Sequence, residues 1–165
     1  MAEPEAGLEI LVNHMENTGL LRLGLYSEVA RRSITRANEY ILGTGYSASI
    51  DDIRLARKGI QDLDDDHPAR GVVNAADFFS LSECRDLLFH TQERNYRLHE
   101  IASLLDNCGL ECIGFETPGT GIPDRYNTLF PDDPMRASLD NWNKFEIMYP
   151  DTFADMCMFW CRKAA

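Results

Sequence analysis

Thr18 to Glu28 reads TGLLRLGLYSE, an apolar run with a glycine in front and Tyr26, Ser27 and Glu28 behind. A short continuous apolar run with such borders is the pattern of a buried parallel strand that delivers polar groups at its carboxyl end. A strand of that kind needs neighbours on both sides and helices on both faces. It opens near the start of the sequence, so the question is where the rest of its sheet comes from.

Upstream, Leu8, Leu11 and Met15 recur at helical spacing, and Gly19 stands where a helix C-cap would fall. Downstream, Ser27 and Glu28 suit a helix N-terminus, and Ala30, Ile34, Ala37 and Ile41 form an apolar stripe with Arg31, Arg32 and Arg36 off it, which reads as a solvated face. Ser49 to Asp52 opens a further helix whose stripe is Ile53, Ala56, Ile60 and Leu63, and the acidic turn DLDDDHP after it reads as a solvated loop. Ser80 and Glu83 stand in S-x-x-E spacing at the start of SLSECRDLLFHTQ. Leu98, Ile101, Leu104 and Leu105 mark another helix, ending at Gly109 and running into LECIGFE, a second strand. TPGTGIPDRYNTLFPDDP, residues 117–134, is rich in proline, glycine and aspartate and reads as a long loop without an element. Leu139, Trp142 and Phe145 mark a helix stopped by Pro150, and MCMFWC, residues 156–161, reads as a third strand, apolar on both faces.

The 165 residues, 44% hydrophobic and 10% aromatic, suit a single domain, 1–165, with a core of its own. With 16 Lys+Arg against 27 Asp+Glu the formal charge is -11, so a phosphate backbone is repelled and no nucleic-acid partner is expected. No apolar run is long enough to span a membrane, and no membrane association is expected. The five cysteines are odd in number, lack the spacing of a secreted framework and follow no signal sequence, which points to a reducing, cytoplasmic setting.

LLRLGLYSEVARRSI, DFFSLSECRDLLFHTQE, LECIGFE, FPDDP and the closing stretch with Trp142, Phe145, Glu146 and Pro150 before DTFADMCMFW resemble, in that order, the C-terminal half of class I S-adenosylmethionine-dependent methyltransferases, notably those associated with tetratricopeptide repeats. The resemblance spans nearly the whole chain, and CRDLLFH is its most specific part. It implies an α/β fold, a partial Rossmann-like methyltransferase sheet of three strands. Residues 20–27, 111–116 and 156–161 correspond to strands five, six and seven, in spatial order five, seven, six, and the last strand is antiparallel. It also implies that residues 28–110 are a helical insertion covering the site of the methyl acceptor.

The same resemblance implies what is missing. Such enzymes hold S-adenosylmethionine on the first four strands, with a glycine-rich turn after strand one and an acidic residue after strand two. The only glycine clusters here are LGTGY near Gly43 and TPGTGIP near Gly119, and neither is expected to follow an apolar strand and open a helix as a phosphate cradle must. The cofactor is therefore expected in the complete enzyme and not on this chain alone, which should be truncated and inactive by itself. The expected partner is the missing N-terminal half, or another chain, at the edge of strand five. The alternative is a non-enzymatic module that pairs through that exposed edge, for instance as a homodimer.

Several constellations carry possible chemistry. Asp86 and His90, four apart, share a helix face and suit a carboxylate-imidazole general base, with Arg85 beside them for the substrate; the plainer reading is a surface ion pair. Tyr26, Ser27 and Glu28 end a parallel strand, where open sheets place ligands, so they are candidate substrate contacts; the plainer reading is that Ser27 and Glu28 cap the next helix. Cys108-x3-Cys112 and Cys157-x3-Cys161 have zinc-like spacing, but Cys112, Cys157 and Cys161 lie in apolar strands without a knuckle turn and read as small hydrophobes, so no metal is expected.

Overall fold

A computed structural model describes residues 4–90, 93–119 and 121–164. In chain order the elements are α1 (Pro4–His14), β1 (Leu20–Ser27), α2 (Arg32–Thr44), α3 (Ile50–Gln61), α4 (Leu81–Phe89), β2 (Asn95–Tyr96), α5 (Leu98–Asn107), β3 (Leu110–Glu116), α6 (Gly121–Leu129), α7 (Leu139–Met148) and β4 (Met156–Lys163). Two short 3-10 turns, Arg70–Asn74 and Ala76–Phe79, precede α4. The chain divides into two compact units, one of residues 1–30 and 94–165 and one of residues 31–93.

The first unit is built on a mixed sheet in the order β2-β1-β4-β3. β4 is antiparallel to both neighbours, running from Leu20↔Arg162 to Tyr26↔Met156 against β1 and from Leu110↔Lys163 to Glu116↔Met158 against β3. The order five, seven, six expected for the three long strands is the order found. The sequence reading lacked β2, a two-residue parallel strand that pairs Tyr26 with Asn95 and Ser27 with Tyr96. Two residues have no periodicity to read, and neither Asn95 nor Tyr96 extends an apolar run.

One face of this sheet carries the core. In β4, Cys157, Phe159 and Cys161 are buried while Trp160 and Arg162 are exposed, so the strand alternates and is not apolar-buried on both faces as expected. Register places Leu21, Leu23 and Leu25 of β1 beside those buried residues. Phe115, Trp142, Phe153 and Phe159 pack ring to ring at 5.3 to 5.6 Å, and Tyr126 lies 4.1 Å from Trp142. On the other face Arg22 forms a two-pronged ion pair with Glu116, which also accepts from Trp160 Nε1 at 2.8 Å.

α6 overturns the reading of residues 117–134 as a loop without an element. Pro123 is the third residue of the helix, where its missing N–H is one of the donors a first turn leaves unused, so proline is tolerated there and does not break the helix. The FPDDP segment that follows is tied down by Asp133, whose carboxylate accepts from Tyr126 Oη at 2.6 Å, Ala137 N at 3.2 Å and Ser138 N at 3.1 Å. α1 also departs from expectation: it buries Leu8 and packs Val12 and Met15, leaves Leu11 half exposed, and ends at His14. Gly19 is no C-cap; its N–H bonds Glu16 O in the turn, and a Cβ there would stand 2.9 Å from Met15 Cγ.

The second unit packs α2, α3 and α4 around Ile34, Ala37, Ile41, Ile53, Ile60, Phe78 and Leu88. Ser49 and Ser80 cap their helices by accepting from Asp52 N and Glu83 N. Gly45 ends α2 in the left-handed region at φ 76°, which a glycine adopts without a Cβ clash. Arg32 and Arg36 lie on the solvated face as expected, but Arg31 does not: it is 3% exposed and pairs with Glu93 at 2.6 Å. It precedes α2 as its N-cap residue, where the helical stripe no longer dictates direction.

Candidate functional site

β1 and β2 run parallel and end side by side, so their carboxyl ends form one rim made of Tyr26, Ser27 and Glu28 on one strand and Asn95, Tyr96 and Arg97 on the other. Glu28 N donates to Tyr96 O at 3.0 Å, which carries the pairing one residue past each strand. The Arg97 guanidinium grips Glu28 Oε1 through Nε at 2.7 Å and Nη2 at 2.6 Å. Arg94 lies over the Tyr96 ring at 4.7 Å.

Beneath this rim is a buried polar cluster. Ser27 is fully buried; its N–H donates to Asp155 O at 3.0 Å, its Oγ accepts from Ala30 N at 3.0 Å, and its hydroxyl donates to Glu146 Oε1. Glu146, on α7, is 1% exposed. Burial raises its carboxyl above the ordinary range, the Ser27 hydrogen bond opposes that, and the negative charge of Glu28 adds to it. The Cys157 thiol is pushed far up by burial and by the nearby Glu146 charge. The site thus has a half-exposed charged rim, Glu28 with Arg97, over a buried carboxyl raised above its ordinary range.

Of the six candidate site residues, Tyr26, Ser27 and Glu28 lie on this rim, with Tyr26 half-buried beside Met156 and Ser27 turned inward to Glu146. Arg85, Asp86 and His90 belong to the second unit and are all exposed. α4 stops at Phe89 and His90 is its C-cap residue, at φ -77° and ψ 120°; among the described residues no hydrogen bond or ion pair connects it to Asp86. Glu146 and Arg97 escaped sequence reasoning as site residues. Glu146 interrupts the apolar stripe of Trp142 and Phe145, and an acidic residue next to such a stripe was the available signal.

The two glycine clusters sit at opposite poles of their helices. LGTGY lies at the C-terminal end of α2, the wrong pole of a helix for an anion. TPGTGIP does follow a strand and open a helix, contrary to expectation, between β3 and α6. There Ile122 N is bonded to Gly119 O at 3.3 Å and Pro123 has no N–H, so two successive positions at the start of α6 offer no free amide to an anion. Cys112 and Cys161 face each other across β3 and β4, both pushed up to about 11 mainly by burial. Among the described residues no three His, Cys, Asp or Glu side chains group as metal ligands.

This geometry is an α/β fold that matches part of a methyltransferase fold. The solved structure of PKMT2 from Rickettsia typhi matches at a TM-score of 0.68 and 12% identity over 97% of this chain. The same protein in complex with AdoHcy matches at a TM-score of 0.68 and 9% identity over 96% of this chain. In both cases the match covers 32% of the longer chain. An uncharacterized protein of Synechococcus sp., syc1184_c, is 24% identical over 163 residues, covering 90% of this chain and 37% of its own. The chain therefore spans about a third of the length of the proteins it matches. No family model matches it. Among the described residues no helix is long and apolar enough to cross a membrane.

Proposed function

We propose that this chain is the C-terminal, substrate-side portion of an S-adenosylmethionine-dependent methyltransferase of the kind associated with tetratricopeptide repeats, and that the cofactor is held by a half of the enzyme outside it. The observation that carries this reading is β4, an antiparallel strand inserted between β1 and β3, which is the strand order that the resemblance implies. The AdoHcy bound by PKMT2 supports a related cofactor in the complete enzyme.

On this reading Tyr26 and the Glu28–Arg97 pair of the first unit are contacts for the methyl acceptor and Ser27 fixes the end of the strand through Glu146, while Arg85 for the substrate and Asp86 and His90 as general-base residues are proposed for the second unit from the sequence alone. The partner is the N-terminal half of the sheet, the setting is cytoplasmic, and the chain alone does not turn over. Titration calorimetry of the chain with S-adenosylmethionine tests this. No heat of binding is expected, and micromolar binding by the chain alone refutes the assignment of the cofactor to another half.

A second reading has its own support. No strand pairs with Leu20–Leu25 on the side away from β4 among the described residues, and such an edge recruits a strand from another chain. Chromatography over a range of concentrations distinguishes this interaction module, which dimerises or captures a strand, from a portion that stays monomeric until its other half is supplied.

A further inference from the structure

In the first unit, away from the β1 rim, a cleft of about 260 Å³ lies between α6 and the end of α7, lined by Ile122, Arg125, Phe145, Met148, Tyr149 and the Pro150–Thr152 turn. Arg125 is laid over the Tyr149 ring, its guanidinium carbon 4.7 Å from the ring centre, so the plane of the fork is fixed while its N–H edge stays exposed. Among the described residues neither the Arg125 guanidinium nor the Asp151 carboxylate makes a hydrogen bond or ion pair, although both line this one cleft. The neighbouring polar groups are already committed: Phe145 O accepts from Tyr149 N, and Tyr149 O accepts from Thr152 N and from Thr152 Oγ1 at 2.5 Å. What remains for a guest is one fixed cation, one carboxylate and an apolar wall of Ile122, Phe145 and Met148.

We propose that this cleft binds a small zwitterion, an α-amino acid with an aliphatic side chain. Arg125 takes the carboxylate by its two-pronged edge, Asp151 takes the ammonium, and the side chain lies against Met148 and Ile122. A singly charged guest leaves one of the two groups facing a partner of no charge, which gives the selection its sense. The volume is below the roughly 300 Å³ at which drug-sized ligand sites begin, so the guest is of single amino-acid size. Few non-hydrogen atoms limit affinity, and a Kd on the order of 1 mM is expected. This binding is independent of methyl transfer.

The experiment is NMR titration of the isotopically labelled chain with L-leucine, 4-methylpentanoate and 3-methylbutylamine. L-Leucine is expected to shift the Arg125 side chain and the amides of Tyr149, Asp151 and Thr152 in a saturable way, and each singly charged analogue to bind about tenfold more weakly or worse. Arg125→Gln and Asp151→Asn, both at exposed positions, are each expected to weaken L-leucine by a similar factor while leaving the rest of the spectrum in place. Shifts confined to other residues, equal binding by a singly charged analogue, retained affinity in both variants, or no binding at all each overturn the proposal.

Discussion

Ser27 Oγ donates a hydrogen bond to Glu146 Oε1, joining the last residue of β1 to the inward face of α7 with both groups buried. Removing the donor leaves a buried carboxyl without its partner and also frees Ala30 N–H. Ser27→Ala should therefore destabilise the chain by about 1–3 kcal/mol, read as a lower midpoint of urea unfolding with an unchanged slope.

Glu146 also fixes a pH dependence. Its folded carboxyl is raised above the value it has when unfolded, so the folded state binds the proton more tightly. The contribution is present in full below the unfolded value near 4.5 and is lost as pH rises through the folded value. Wild-type stability should fall across that interval relative to Glu146→Gln, which has no proton to lose. Parallel stability-versus-pH curves for the two proteins would contradict the assignment.

Glu116 shows the opposite sign. The two-pronged Arg22 contact and the Trp160 N–H hold its carboxyl down at about 2. That contribution is present above the unfolded value and disappears as pH falls through about 2. A carbon-detected titration should place Glu116 near 2 in the native protein and return it toward the ordinary carboxylate range in Arg22→Ala, with a smaller return in Trp160→Phe.

Arg31 is the most buried cation that the sequence reading placed on the surface, and Glu93 at 2.6 Å answers it. Breaking one side of a buried pair costs about 3–5 kcal/mol when both charges are fully buried, and somewhat less where, as here, one carboxylate keeps some solvent. Glu93→Gln should destabilise the second unit markedly, whereas Arg36→Gln, which cuts an exposed pair with Glu39, should change stability by less than about 1 kcal/mol. Urea denaturation of the two variants side by side checks the contrast.

The thiols offer a chemical test of the sheet. Burial raises Cys112, Cys157 and Cys161, and a raised thiol is a poor nucleophile. A thiol-specific reagent at neutral pH should modify these three slowly in the native chain and rapidly in denaturant, as mass spectrometry of the modified peptides would show.

Much of this was legible in the sequence because it rested on patterns that local physics enforces. The stripe of Ile34, Ala37 and Ile41, the caps at Ser49 and Ser80, and the three long strands all survive in the structure. What could not be read depends on distant chain. β2 exists only because Asn95 and Tyr96 meet the end of β1, and Arg31 is buried because Glu93, far along the sequence, lies beside it. α6 was hidden by composition, since Gly121 and Pro123 look like loop residues until proline is placed in a first turn. Glu146 stood in plain view, but only its packing against Ser27 marks it as part of the site. The four-residue spacing of Asp86 and His90 did not show that α4 ends between them, at Phe89.

β4 lies between β1 and β3 in this sheet, and it is made after both of the strands it joins. As the chain leaves the ribosome, β1 emerges well before β4 and waits through more than a hundred intervening residues for it, Leu20 pairing at last with Arg162. Loop closure over so long a separation is slow, and until it occurs the flanks of β1 and β3 are open to wrong partners. The nascent chain should thus be most vulnerable to aggregation just before β4 is released, and a stall in translation there would leave α1 to α7 made and β1 and β3 without the strand that joins them.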